Sequence, residues 1–184
     1  MRPGIAILLL SLAPAWCQVA KPAALTATGL TAARAVRIPP QAISGLERAF
    51  NSRLATMADV NEPVDLLGDT RGVQLDDYGV VFTTEVSLVR TPGITPFRQT
   101  IPPALAARVK VQRLERMPLL RAAMKEMIRD MAVAFTQIPA SQQLVLVVRL
   151  YYGAWEDTTG MPAQVVMHAD RAAAAAGKIE TEER

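Results

Sequence analysis

From Ala104 to Ile138 the chain carries Leu105, Val109, Leu114, Met117, Leu120, Met124, Met127, Met131 and Phe135 at spacings of three to five residues. Pro102-Pro103 precedes this run and Pro139 ends it. A stripe of that period predicts one long helix with one apolar face. Pro118 lies inside it, lacks the amide proton and crowds the carbonyl four residues back, so the expected form is a kinked helix or two helices meeting at Pro118. A helix this long, set between strand-like segments, makes an α+β domain the natural reading.

The strand-like segments flank it on both sides. Before it, Val80 to Val89 ("VVFTTEVSLV") alternates in period two, as a half-buried strand requires. Val64, Leu66, Val73 and Leu75 form the preceding strand pattern, broken by Gly68 to Gly72, and Asp76-Asp77-Tyr78-Gly79 supplies turn residues between the two. After the helix, Gln143 to Tyr152 ("QLVLVVRLYY") is almost continuously apolar, the pattern of a central strand. Ala163 to Ala169 ("AQVVMHA") is a fourth, shorter strand. In "DRAAAAAG", Asp170 is a candidate helix N-cap and Gly177 a candidate C-terminal cap. An N-terminal helix fits Gln41 to Asp59, where Ile43, Leu46, Phe50, Leu54 and Met57 share a face. The expected domain therefore has a four-stranded antiparallel sheet, with the long kinked helix and the N-terminal helix on one face.

The ends of the chain carry different signals. Arg2, the apolar run Ile5–Ala13, Pro14, and the small residues Ala15 and Cys17 before Gln18 read as a signal peptide spanning 1–17. The run is shorter than the roughly 20 residues of a spanning helix. An uncleaved anchor and lipid attachment at Cys17 are the alternatives. Residues 18–39, rich in Ala and Thr and closed by Pro39-Pro40, read as a flexible linker, 40–176 as the domain and 177–184 as a charged tail. The expected location is periplasmic or secreted. Cys17 is the single cysteine, so cleavage after it leaves neither a thiol nor a disulfide. The formal charge of +3 is spread along the chain rather than gathered into a stripe, which argues against a nucleic-acid partner.

Few residues are equipped for chemistry. His168 is the only histidine, no Gly-x-Ser-x-Gly elbow or phosphate-binding glycine loop occurs, and no metal site or cofactor is implied. The carboxylate pairs Asp76-Asp77 and Glu156-Asp157 fall in turns, where such residues commonly bond their own backbone. The segment Leu150 to Pro162 ("LYYGAWEDTTGMP") is longer and richer than a tight hairpin needs. Trp155, Tyr152, Phe97 and Tyr78 are the candidate binding residues. Glu156 and Asp157, acting with His168, are the candidate catalytic ones.

"TRGVQLDDYGVVFTTEVSLV" and "LYYGAWEDTTGMPAQVVMHADR" together resemble segments of uncharacterised exported bacterial proteins. In these, a Gly-Val-x-Leu-x-x-Tyr-Gly-Val-Val-Phe hairpin precedes a long helix and a strand pair joined by a Trp-Glu-Asp loop. The resemblance covers about Pro63 to Arg171. It implies that both loops belong to one architecture and brings no activity with it. The resulting expectation is a non-catalytic binding or envelope-assembly module with a protein partner. The alternative is a periplasmic hydrolase using the loop carboxylates with His168.

Overall fold

The structure is a computed structural model that describes residues 36–58, 63–91 and 100–184. The expected signal peptide, all of the linker before Val36, and Phe97 lie outside the described residues. Along the chain come α1 (Pro40–Thr56), β1 (Asp65–Leu75), β2 (Gly79–Ser87), α2 (Pro103–Ala134), β3 (Gln143–Leu150), β4 (Gln164–Asp170), α3 (Arg171–Ala175) and β5 (Glu180–Glu183). The α+β class is as expected.

The sheet differs from expectation in two ways. It has five strands rather than four, in the order β1-β2-β3-β4-β5, and it is mixed rather than wholly antiparallel. β2 runs parallel to β3, pairing Gly79 with Gln143 through Val86 with Leu150. The physical reason lies in α2. At 1.5 Å per residue a helix of 32 residues is about 48 Å long, ample to carry the chain from the end of β2 back to the level where β2 began. The fifth strand is built from the charged tail, with Glu180 paired to His168 and Glu183 to Val165. Its four residues are all exposed, so backbone pairing and side-chain ties hold it, not burial. Arg121 of α2 grips the Glu183 carboxylate with both Nε (2.6 Å) and Nη2 (3.0 Å).

α2 is not divided at Pro118, which sits within one assigned helix. Val109, Met117, Leu120, Met124, Met127 and Met131 of the expected stripe are buried, but Leu114 is 48% exposed. At 100° per residue Leu114 points away from that face. Arg113 and Arg116 take the inward directions in its place. On the sheet side, Val80, Phe82, Val86, Leu144, Leu146, Val148, Val165 and Met167 join Met117, Leu120, Met124, Met127 and Met131 of α2 in one core, with Phe82 stacked on Phe135 at 6.3 Å. β3 is the middle strand, consistent with its apolar run.

The β1–β2 turn depends on its last residue. Asp77 has φ 60° and Gly79 φ 139°. A Cβ on Gly79 would lie 1.9 Å from the Gln143 carbonyl oxygen, so no side chain fits there. The close approach lets the Gln143 amide donate to the Tyr78 carbonyl at 2.8 Å, which starts the parallel pairing.

β1 is one bulged strand, not two pieces, with register shifts between Leu66 and Arg71. On its free edge the Thr70 amide donates to Asn51 Oδ1 (3.0 Å) and the Gly72 amide to Glu47 Oε1 (2.8 Å). Glu47 and Asn51 are one turn apart on α1, so the helix serves two otherwise open donors. The Gln74 amide nitrogen donates to the Val36 carbonyl, and its oxygen accepts from the Ile38 amide two residues on. At the other end of the chain, Asp170 caps α3 by accepting from the Ala173 amide, and Gly177 follows with φ 75°.

Candidate functional site

The connection from Tyr151 to Ala163 is fastened at both ends by the sheet. The Leu150 amide donates to Ala163 and the Tyr151 amide to Val86, each at 2.9 Å. Two internal turns, Glu156 to Gly153 and Met161 to Thr158, shape the interior, and Gly160 has φ 78°. The Tyr152 hydroxyl closes the base by donating to the Pro162 carbonyl at 2.7 Å.

What fixes this loop is a buried ion pair to α2. Arg113 is fully buried and the Glu156 side chain is 3% exposed. The guanidinium engages the carboxylate through Nε and through Nη2, the latter at 2.7 Å, in the bidentate geometry that suits this pair. Glu156 Oε1 also accepts from the Gly153 amide at 2.8 Å. Nη2 of Arg113 reaches Ser87 Oγ at 3.2 Å, and its guanidinium lies 4.9 Å from the centre of the Tyr152 ring. The loop, the end of β2 and α2 thus meet at one arginine. Arg116, three residues on, donates to the Leu88 carbonyl at 2.5 Å and steadies the same end of β2. Gly153 permits the packing, since a Cβ there would come within 2.9 Å of Trp155 Nε1 and 3.2 Å of Glu156 Oε1.

Asp157 is tied to the same helix from outside. It pairs with Lys110 and accepts the Thr159 amide at 2.9 Å. The Lys110 ammonium first, then Thr159, holds its carboxyl well below the usual carboxylate range. Tyr152 is shifted the other way. Burial pushes its hydroxyl pKa up, the Arg113 charge opposes that, and Glu156 adds to it.

The structure separates His168 and Tyr78 from this loop. His168 pairs with Val145 near the start of β3, whereas the loop begins past Leu150. Five residues of strand, about 16 Å, lie between these levels. His168 Nε2 faces Glu182 at 3.5 Å and Glu180 at 3.8 Å, so the carboxylates beside it come from β5, not from Glu156 or Asp157. Tyr78 shares the end of the sheet that holds His168. Both line an open cleft of about 690 Å³ together with Gln143, Lys178 and Glu180. The structure therefore brings Tyr152, Trp155, Glu156 and Asp157 together at one place and Tyr78 and His168 at another.

Arg113 and Lys110 are the site residues that sequence reasoning missed. The signal was present: Arg113 and Arg116 fall in register with Val109, Met117 and Leu120 on the inward face. A charge in that position calls for a buried partner. Among the described residues no group of three or more His, Cys, Asp or Glu could hold a metal ion, and no helix is long and apolar enough to cross a membrane. No protein-family model matches the chain, and comparisons with curated proteins and with solved structures give no match.

Proposed function

We propose that this protein is an exported, non-catalytic binding or envelope-assembly module whose contact surface is the Tyr151–Pro162 loop. The supporting observation is the Arg113–Glu156 pair: the Glu156 carboxylate is enclosed and held by a bidentate arginine and a backbone amide, and that arginine in turn lies over the Tyr152 ring. A carboxylate so enclosed, with its side chain 3% exposed and both oxygens already accepting, is poorly open to a substrate. Its effect is to hold the loop in one shape before any partner arrives, which lowers the ordering cost of binding. Tyr151, 52% exposed, and the half-buried Trp155 are the aromatic groups that the fixed loop presents. The same reading takes α1 and α2 as a single layer on the face of the sheet that carries Phe82 and Leu146, with the loop at the edge of that layer.

The test is site-specific photo-crosslinking in the cell envelope, with the full chain carrying the probe at Tyr151 and, as a control, at Glu182. The expected result is a discrete adduct from position 151 alone, lost when Trp155→Ala is added. Equal labelling from both positions, or none from position 151, overturns the reading.

A further inference from the structure

The first half of α2 carries a second apolar stripe, on the side away from the core. Ala104, Ala107, Val111, Leu114 and Pro118 follow one another at spacings of three and four, and all five are exposed. Val111 is 54% and Leu114 48% exposed. At 100° per residue these five lie within about 40° of one direction, roughly opposite Val109, Arg116 and Leu120. Ala104, Val111 and Pro118 are seven apart, as are Ala107 and Leu114, which is the spacing of a helix–helix seam. Beyond Ala122 the same side turns to Lys125, Glu126 and Arg129, so the apolar character is confined to about five turns.

We propose that this stripe is the interface of a homodimer, in which α2 packs antiparallel against α2 of a second copy. The occupant follows from the charges at the margin. Arg108 and Glu115 sit one heptad apart on the same flank and have opposite sign. A two-fold axis between residues 111 and 114 sets Val111 on Leu114 of the second copy and Ala107 on its Pro118. It also brings Arg108 close to Glu115 of the second copy, and each of these contacts occurs twice. Arg108 keeps a contact within its own chain, and its guanidinium has five donors with which to make another. A parallel pair would instead set Glu115 beside Lys110 of the second copy, which Asp157 shares, and would give Arg108 no acidic partner across the seam, since the facing flank carries Pro103 and Lys110. An anionic membrane surface suits the stripe less well, because Glu115 would meet it directly. The inference uses the outward side of α2 and does not rest on the loop's role in binding.

The experiment is sedimentation equilibrium on the full chain up to about 200 µM, a range that detects a dimer of micromolar affinity. The expected species is a dimer. Leu114→Glu should weaken it at least about tenfold while leaving far-UV circular dichroism unchanged, since the residue is outside the core. Glu115→Arg, which places like charges together, should also weaken it. The exchange Arg108→Glu with Glu115→Arg should restore affinity to within about threefold of the parent, and this rescue stands even if Leu114→Glu disturbs folding. A monomer throughout, a dimer indifferent to Leu114→Glu, or a charge exchange without rescue overturns the proposal. So does a monomer that cosediments with vesicles of phosphatidylethanolamine and phosphatidylglycerol through Leu114.

Discussion

Replacing Glu156 with glutamine is the most informative single change to this molecule. The substitution keeps the size and one acceptor oxygen but removes the charge, leaving Arg113 enclosed without a counter-ion at 0% side-chain exposure. Breaking a buried pair from one side costs about 3–5 kcal/mol, because the stranded charge stays desolvated. Glutamine can still accept from Arg113 or from the Gly153 amide, so the lower end, about 3 kcal/mol, is expected. For a folded unit of this size that corresponds to a fall in Tm of roughly 6–12 °C. Urea-induced equilibrium unfolding followed by tryptophan fluorescence and by far-UV circular dichroism measures the cost directly. Trp155 lies beside Glu156, so its signal also reports on the loop. The double variant Arg113→Met with Glu156→Gln should recover more than half of the loss, as removal of both charges leaves nothing stranded. A cost below about 1 kcal/mol for Glu156→Gln, with the double variant no better, would show that solvent reaches the pair and refute its role in fixing the loop.

Three further outcomes follow from the geometry. Gly79→Ala should cost about 3 kcal/mol or more in urea unfolding because the Cβ meets backbone 1.9 Å away, whereas Gly160→Ala, with φ 78° and open space around it, should cost about 1 kcal/mol. Asp157, its carboxyl pKa lowered by Lys110, should remain ionised at about pH 3 in a carbon-detected NMR titration and return toward the ordinary value of about 3.9 in Lys110→Met. The sign follows: its stabilising contribution is present above the unfolded pKa and is lost as pH falls through the folded one. Tyr152→Phe should cost about 1 kcal/mol through loss of the bond to Pro162, and the parent hydroxyl should ionise above the free-tyrosine value in a 295 nm titration.

Most elements were legible because burial imposes a period. Val80, Phe82 and Val86 on a strand, and Leu120, Met124 and Met127 on a helix, announce their faces by spacing alone. The direction of β3 differs from the antiparallel expectation, although its signal stands in the chain: a helix long enough to span the sheet lies between β2 and β3, and such a crossover is how parallel neighbours are joined. β5 was hidden for a different reason. Glu180 to Glu183 have poor strand propensity and no buried side chain, and what orders them is an Arg121 sixty-two residues away. The candidate loop was visible through its length and its tryptophan. Its key contact was not, since no pattern within Gly153–Gly160 reveals that Glu156 turns inward to an arginine forty-three residues earlier.

The parallel seam between β2 and β3 also bears on how the molecule assembles. β1 with β2, β3 with β4, and β4 with β5 are each joined by a short stretch of chain, so each pair can zip soon after its turn forms. Val80 must instead find Leu144, and Val86 must find Leu150, across the whole length of α2. Closing that distance as random coil is entropically unfavourable, and a helix formed first shortens and stiffens the tether. On this view α2 acts as a jig for the folding reaction: substitutions that weaken its helicity should slow refolding, while those in the three local hairpins should chiefly hasten unfolding.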